Sequence, residues 1–138
     1  MSQTRENKET MRRFVMDCQG AGDLDLIDEM IAPDFVDHAE VPGLPTGREG
    51  VKVLFGAFHH CFDGFQVVIH DQVAEDDKVA TRKTFHGRHV NEFMGVPASG
   101  NDVAWDVIDI VRLEDGKLVE HWNVVDQLGL LRQIGALS

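Results

Sequence analysis

Three polar side chains interrupt an otherwise apolar stretch in the last third of the chain: Asp109, His121 and Asn123. A carboxylate beside an imidazole fixes the ring's orientation and supports its charged form, so the ring can exchange a proton with a bound compound. A neighbouring amide can donate a hydrogen bond to a carbonyl or enolate oxygen. Together the three residues suit acid/base chemistry at a carbon next to a carbonyl. The same types also suit a plainer role, in which Asp109 and His121 form a structural ion pair inside a sheet and Asn123 satisfies a neighbour.

The three meet only if the strands that carry them pair in the right register. Residues from about Val103 to Leu113 and from Leu118 to Asp126 read as a hairpin turning at Glu114-Asp115-Gly116. A two-residue turn would pair Glu114 with Lys117 and set Asp109 against Trp122. A three-residue loop with Gly116 in the left-handed region pairs Leu113 with Lys117 instead and sets Asp109 opposite His121. The second register is preferred, because it gathers Trp105, Val107, Val111, Val119 and Val125 into an apolar wall around the three polar groups, which is how ligand sites are built. The other face of the hairpin then carries Trp122, Val124, Ile108 and Ile110, a surface costly to leave in water, and a second copy of the chain is expected to cover it.

The elements around the hairpin follow from spacing. Met11, Phe14, Val15 and Cys18 mark a helix that ends near Gln19, before Gly20-Ala21-Gly22. Asp23 is placed to cap a short second helix with Leu24, Ile27, Met30 and Ile31 on one face. Pro33 then opens a loop to Pro45 that holds Phe35, Asp37 and His38. Thr46-Gly47-Arg48-Glu49 reads as a capping box for a third helix through Val51, Leu54, Phe55, Phe58 and Phe62. From Asp63-Gly64 onward the period changes to two, with Phe65, Val67, Ile69 and Val73 on one side. A second strand over 79–90 carries Arg82, His86 and Arg88 on one side, with His89 in the loop after it. Three helices followed by antiparallel strands define an α+β fold in which the helices cover one face of a curved sheet and leave a pocket.

Around that pocket, His38 is expected at the mouth, and Arg82 to hold a carbonyl or carboxylate oxygen. Phe65, Trp105 and Val107 are expected against the ligand. His59, His60 and His70 fall on or near solvent-facing positions, and Cys18 and Cys61 lack a nearby base and read as structural. No GxGxxG, P-loop, GxSxG or HExxH motif is present, so no cofactor is expected. His38, His89, Asp109 and His121 lack ligand spacing, so no metal is expected either.

The 138 residues are enough for one domain over 1–138, and 43% hydrophobic with 27% charged residues is a globular composition. A formal net charge of −11, with no basic stripe, repels phosphate backbones and argues against nucleic acid and anionic membranes. Small molecules and other protein chains remain as partners. No apolar run approaches the ~18 residues of a membrane span. The first residues lack the apolar segment of a secretory signal, so the expected compartment is the cytoplasm, with both thiols reduced.

Four segments carry a resemblance: Ala32-Pro33-Asp34-Phe35-Val36-Asp37-His38; Gly87-Arg88-His89-Val90 with Met94-Gly95-Val96-Pro97; the run Asp109 to Lys117; and Leu131-Arg132-Gln133-Ile134-Gly135. In this order the chain resembles a SnoaL-like polyketide cyclase of the nuclear-transport-factor-2-like superfamily. The resemblance implies a cone-shaped barrel of curved antiparallel sheet packed on three N-terminal helices, a deep apolar cavity, and assembly into homodimers or higher homo-oligomers through the outer sheet. It also implies a cofactor-free intramolecular aldol condensation of a polyketide, with a carboxylate abstracting a proton next to a carbonyl. That carboxylate would fall at Asn123, and the His that assists it at Asp109, so this chain keeps polar groups at both positions but exchanges them. Three readings follow. The chain is a cyclase- or isomerase-type enzyme using His121 oriented by Asp109, a non-catalytic binder of a hydrophobic metabolite, or a polyketide hydroxylase-like protein.

Overall fold

The computed structural model describes residues 2–137. The chain opens with α1 (Gln3–Arg13), capped by the Ser2 hydroxyl on the Arg5 amide, which runs into a π-helical segment, Phe14–Gly20. A five-residue spacing shows in the bond from the Ala21 amide to the Met16 carbonyl. Widening the turn in this way rotates the last residues inward, so Cys18 and Gln19 are both buried. A short α2 (Leu26–Met30) follows, then β1 (Ile31–Asp37) and α3 (Gly47–Cys61). Thr46 occupies the N-cap of α3 without a side-chain bond, so the anticipated capping box does not form.

The remaining strands are β2 (Phe62–Glu75), β3 (Lys78–His89), β4 (Asp102–Glu114) and β5 (Lys117–Val125), followed by α4 (Gln127–Gln133). All five strands form one sheet in the order β1-β5-β4-β3-β2. The four long strands pair antiparallel, as expected. β1 differs: the stretch read as a loop after Pro33 is an edge strand running parallel to β5 and pairing Asp37 with His121. Pro33 is tolerated there because an edge strand leaves one row of backbone groups unpaired. A register shift in β2 between Ile69 and Asp71 turns Val73 outward, against the expected alternation.

The β4–β5 hairpin reaches the expected face by an unexpected route. Asp115 and Gly116 have φ of 52° and 76°, a two-residue turn that pairs Glu114 with Lys117. By itself that register would place His121 on the wrong side. A bulge after the Leu113–Leu118 pair, with Val119 as its extra residue, shifts the ladder by one, so Arg112 pairs with Glu120, Val111 with His121 and Asp109 with Asn123. Turn and bulge cancel, and Asp109, His121 and Asn123 all face inward. Leu118, not Val119, takes the inward apolar place and is buried.

Aromatic side chains from α3 and the sheet fill the core. Phe58 packs on Phe55, Phe65, Phe85, Phe93 and Trp105 with ring centroids 5.2–5.8 Å apart. Rings at this spacing favour offset and edge contacts, and full burial of each large apolar side chain contributes roughly 1.5–3 kcal/mol. Gly87 lets the sheet close on this core, since a Cβ there would stand 2.6 Å from Phe62 Cβ. The C-terminal helix is clamped to β4 by a reciprocal amide pair: Gln133 Nε2 donates to the Ala104 carbonyl and Gln133 Oε1 accepts from the Ala104 amide. No helix among the described residues is long and apolar enough to cross a membrane.

Candidate active site

Between the concave sheet face and the helices lies a cavity of about 540 Å³. Its walls are mostly apolar, with Phe35, Phe55, Phe58, Phe85, Trp105 and Val107 among them. One side is built by strands: β3 contributes Lys83 and Phe85, β4 contributes Trp105, Val107 and Asp109, and β5 contributes His121 and Asn123. Period-two alternation aims them all the same way.

The polar groups form one continuous network on this wall. His121 Nε2–H donates to Asp109 Oδ1 and Nδ1–H donates to Asp37 Oδ1, each at 2.8 Å. With a carboxylate at both nitrogens, only the doubly protonated ring satisfies both bonds. Burial pushes the His121 pKa down, but the two carboxylates outweigh it and hold the ring at about 9. Asp109 is almost fully buried, and its second oxygen is in direct contact with the Lys83 ammonium. Burial alone would raise the Asp109 pKa; Lys83 first, and then His121, bring it to about 2. Lys83 also donates to Gln19 Oε1 at 2.6 Å, which ties the π-helical segment into the network. The line Gln19–Lys83–Asp109–His121–Asp37 therefore alternates charge, and no ion in it lacks a partner of opposite sign.

Asp109, His121, Asn123, Trp105 and Val107 stand where the sequence reading puts them, on the cavity wall. Three other expected ligand contacts do not. His38 comes directly after the end of β1 and is exposed rather than on the cavity wall; it donates to Glu120 Oε2 at 2.6 Å and stacks on Trp122 at 5.0 Å. Arg82 is on the outer face in a bidentate pair with Asp71, with both bonds at 3.0 Å. Phe65 belongs to the aromatic core, packed on Phe58 and Phe85, and does not line the cavity. His89 is also not a loop residue: it ends β3, fully buried, with Nδ1 accepting from the Ser99 amide. Both cysteines are free and buried, and burial, with Asp23 adding to it, lifts the Cys18 thiol to about 12, which keeps it protonated and inert.

Three site residues were missed by sequence reasoning: Lys83, Asp37 and Gln19. Lys83 had a signal, since it shares its parity with the buried Val79, Thr81 and Phe85. Asp37 shares parity with the inward Ile31 and Phe35, but Pro33 masked the strand. Gln19 had none, because a π-helical turn leaves no mark in the spacing.

An α+β cone with an apolar cavity of this volume and one ionic line on its wall defines a small-molecule site. The family model described as SnoaL-like polyketide cyclase matches residues 9–134, and the chain belongs to that family. It is 37% identical to aklanonic acid methyl ester cyclase DnrD of Streptomyces peucetius over 127 residues, covering 89% of this chain and 87% of that protein. Nogalonic acid methyl ester cyclase of Streptomyces nogalater is 28% identical over 116 residues, covering 83% and 87%. Among solved structures, TsrD from Streptomyces laurentii has a TM-score of 0.88 at 31% identity, covering 99% of this chain and all of that one.

Proposed function

We propose that the chain closes a ring in a neutral, largely apolar carbonyl compound of polyketide type by intramolecular aldol chemistry, using its own side chains as acid and base. One observation carries the reading: His121 is held as a cation between Asp109 and Asp37, on the wall of an apolar cavity that Asn123 also faces. In this scheme Asp109 and Lys83 fix the ring and its charge, a carboxylate beside the imidazolium takes up and returns the proton, and the Asn123 amide donates to the carbonyl oxygen as it becomes an enolate. The names of two relatives, both methyl ester cyclases, support the reaction class.

The lining favours an ester over a free acid. Its charged residues are four carboxylates, Asp37, Glu40, Glu92 and Asp109, against Lys83 and His121, and both cations are already paired. A ligand carboxylate would find no free cation and would be repelled. The test is incubation of the purified chain with aklanonic acid methyl ester. An aldol ring closure adds and removes no atoms, so the expected product has unchanged mass and a changed chromatographic position. Recovery of the bound ester unaltered after long incubation would instead mark a binding protein.

The outer sheet face fits a homo-oligomer contact. Ile108 and Val124 pair across β4 and β5, next to Ile110 and Trp122, and Val124 is 74% exposed. An apolar patch of this kind on an otherwise acidic protein is stabilised by covering it with a second copy.

A further inference from the structure

The proposed reaction needs an atom that accepts the proton, and neither ring nitrogen of His121 offers a free lone pair. Asp109 is no better placed, since one oxygen accepts from His121 and the other is in contact with Lys83. Asn123, at the position where the family resemblance puts the carboxylate, has no basic atom. Of the two carboxylates that meet His121, that leaves Asp37. Asp37 Oδ1 accepts from His121 Nδ1 at 2.8 Å and from the Ala39 amide at 2.9 Å, while Oδ2 takes no hydrogen bond from any described residue. Asp37 lines the cavity with a side chain 12% exposed. Resting on the cyclase reading above, we propose that Asp37 is the catalytic base, accepting the substrate's α-proton on Oδ2, and that His121 is the fixed cation beside it.

The position follows from the fold. Asp37 is the last residue of β1 and lies beside His121 in a parallel pairing, so both side chains point into the cavity. The Ala39 amide closes an Asx-type turn on Oδ1, which restricts the carboxylate's rotation and leaves Oδ2 free of hydrogen bonds from described residues on a side chain that lines the cavity. In the step, the C–H bond next to the substrate carbonyl breaks, its proton forms an O–H bond on Asp37 Oδ2, and its electron pair becomes the enolate. The enolate carbon then bonds to a second carbonyl of the same molecule, and the resulting alkoxide takes the proton back from Asp37. Nothing is consumed, and the charge that leaves Asp37 returns to it. The Glu40 and Glu92 carboxylates also line the cavity, but from exposed positions outside the strands, and neither accepts a hydrogen bond from an imidazole among the described residues.

The probe is 2-acetylnaphthalene, a neutral aromatic ketone whose methyl protons exchange slowly in D2O. Exchange is followed by proton NMR and binding by calorimetry. The wild-type protein is expected to bind the ketone and accelerate exchange, and Asp37→Asn to keep binding while losing about 10²-fold or more of the exchange rate. In Asp37→Ala, added formate is expected to restore exchange about tenfold, with chloride at equal ionic strength restoring none. Exchange by Asp37→Asn within about threefold of wild type, or the absence of formate rescue, overturns the assignment to Asp37 and leaves the cyclase reading standing. Binding by the wild type with no accelerated exchange overturns both.

Discussion

The two faces of the β3–β4–β5 sheet use the same kinds of side chain to opposite effect. On the inner face, Lys83, Asp109, His121 and Asp37 form a line of ions, the first two buried and the last two largely so. On the outer face, the chain neighbours Arg82, His38 and Glu120 pair with Asp71, Arg112 and each other in solvent. The partners differ by one residue in sequence: 82 and 83, 37 and 38, 120 and 121. Water screens the outer pairs, so each is nearly replaceable. The inner ions have lost their hydration and depend on one another, and what that dependence provides is a preset charge pattern at a ligand. The proposed chemistry needs this pattern on the inner face, and the outer face needs only solubility around its exposed apolar residues.

Breaking one ion on each face is the most direct way to test the contrast. Lys83→Met leaves the Asp109 carboxylate without its closest cation, and the expected loss is about 3–5 kcal/mol in chemical denaturation. Arg82→Met, at the next residue, is expected to leave the denaturation midpoint nearly where it was. Equal losses at both sites would remove the distinction.

Next in size is the effect on chemistry. His121→Asn keeps a polar group but removes the cation, and exchange of the probe ketone is expected to fall about 10²- to 10⁴-fold. Turnover unchanged in this variant would mean that the imidazolium takes no part. Asn123→Leu keeps the volume and removes the amide donor; the expected fall is about 10²-fold in rate with binding retained, read by comparing kcat with KM.

A pH series sharpens the comparison more gently. The folded-state pKa of His121 is raised from 6.5 to about 9, so its contribution to stability is fully present below pH 6.5 and is lost as pH rises through 9. Asp109 runs the other way, from 3.8 to about 2, so its contribution is present above pH 3.8 and is lost as pH falls through 2. Denaturation midpoints should therefore fall on the alkaline side between these two His121 values, and His121→Asn should flatten that limb. The smallest effect on the monomer belongs to the outer face: Val124→Lys is expected to shift sedimentation toward a single copy while leaving probe exchange intact. An unchanged sedimentation coefficient would show that the apolar patch is not the contact between copies.

Much of this molecule was legible because alternation in a strand is local. The odd-numbered residues of β4, with Val103, Trp105, Val107 and Val111 buried, had to face inward, and Asp109 went with them; His121 and Asn123 joined that face because the bulge offset the turn. The hairpin took a different turn and a bulge at Val119, and the hydrophobic demand selected the combination that kept the same face inward. His38, Arg82 and Phe65 were misplaced for a related reason. Alternation puts Arg82 on one side of β3 without saying which side faces the cavity, and Phe65 is inward as its spacing implies but packs on Phe58 and Phe85.

The sequence by itself determined that helices would precede a run of antiparallel strands and which side of β4 would be apolar, and so the class of fold and the inward place of Asp109. Only the tertiary structure decided which carboxylates the imidazole would meet. Asp37 and His121 are 84 residues apart, on strands that pair parallel at a sheet edge behind a proline, and Gln19 reaches Lys83 through a widened helical turn. Such contacts depend on how whole elements dock, because burying the shared apolar face brings them together and no short-range pattern records it.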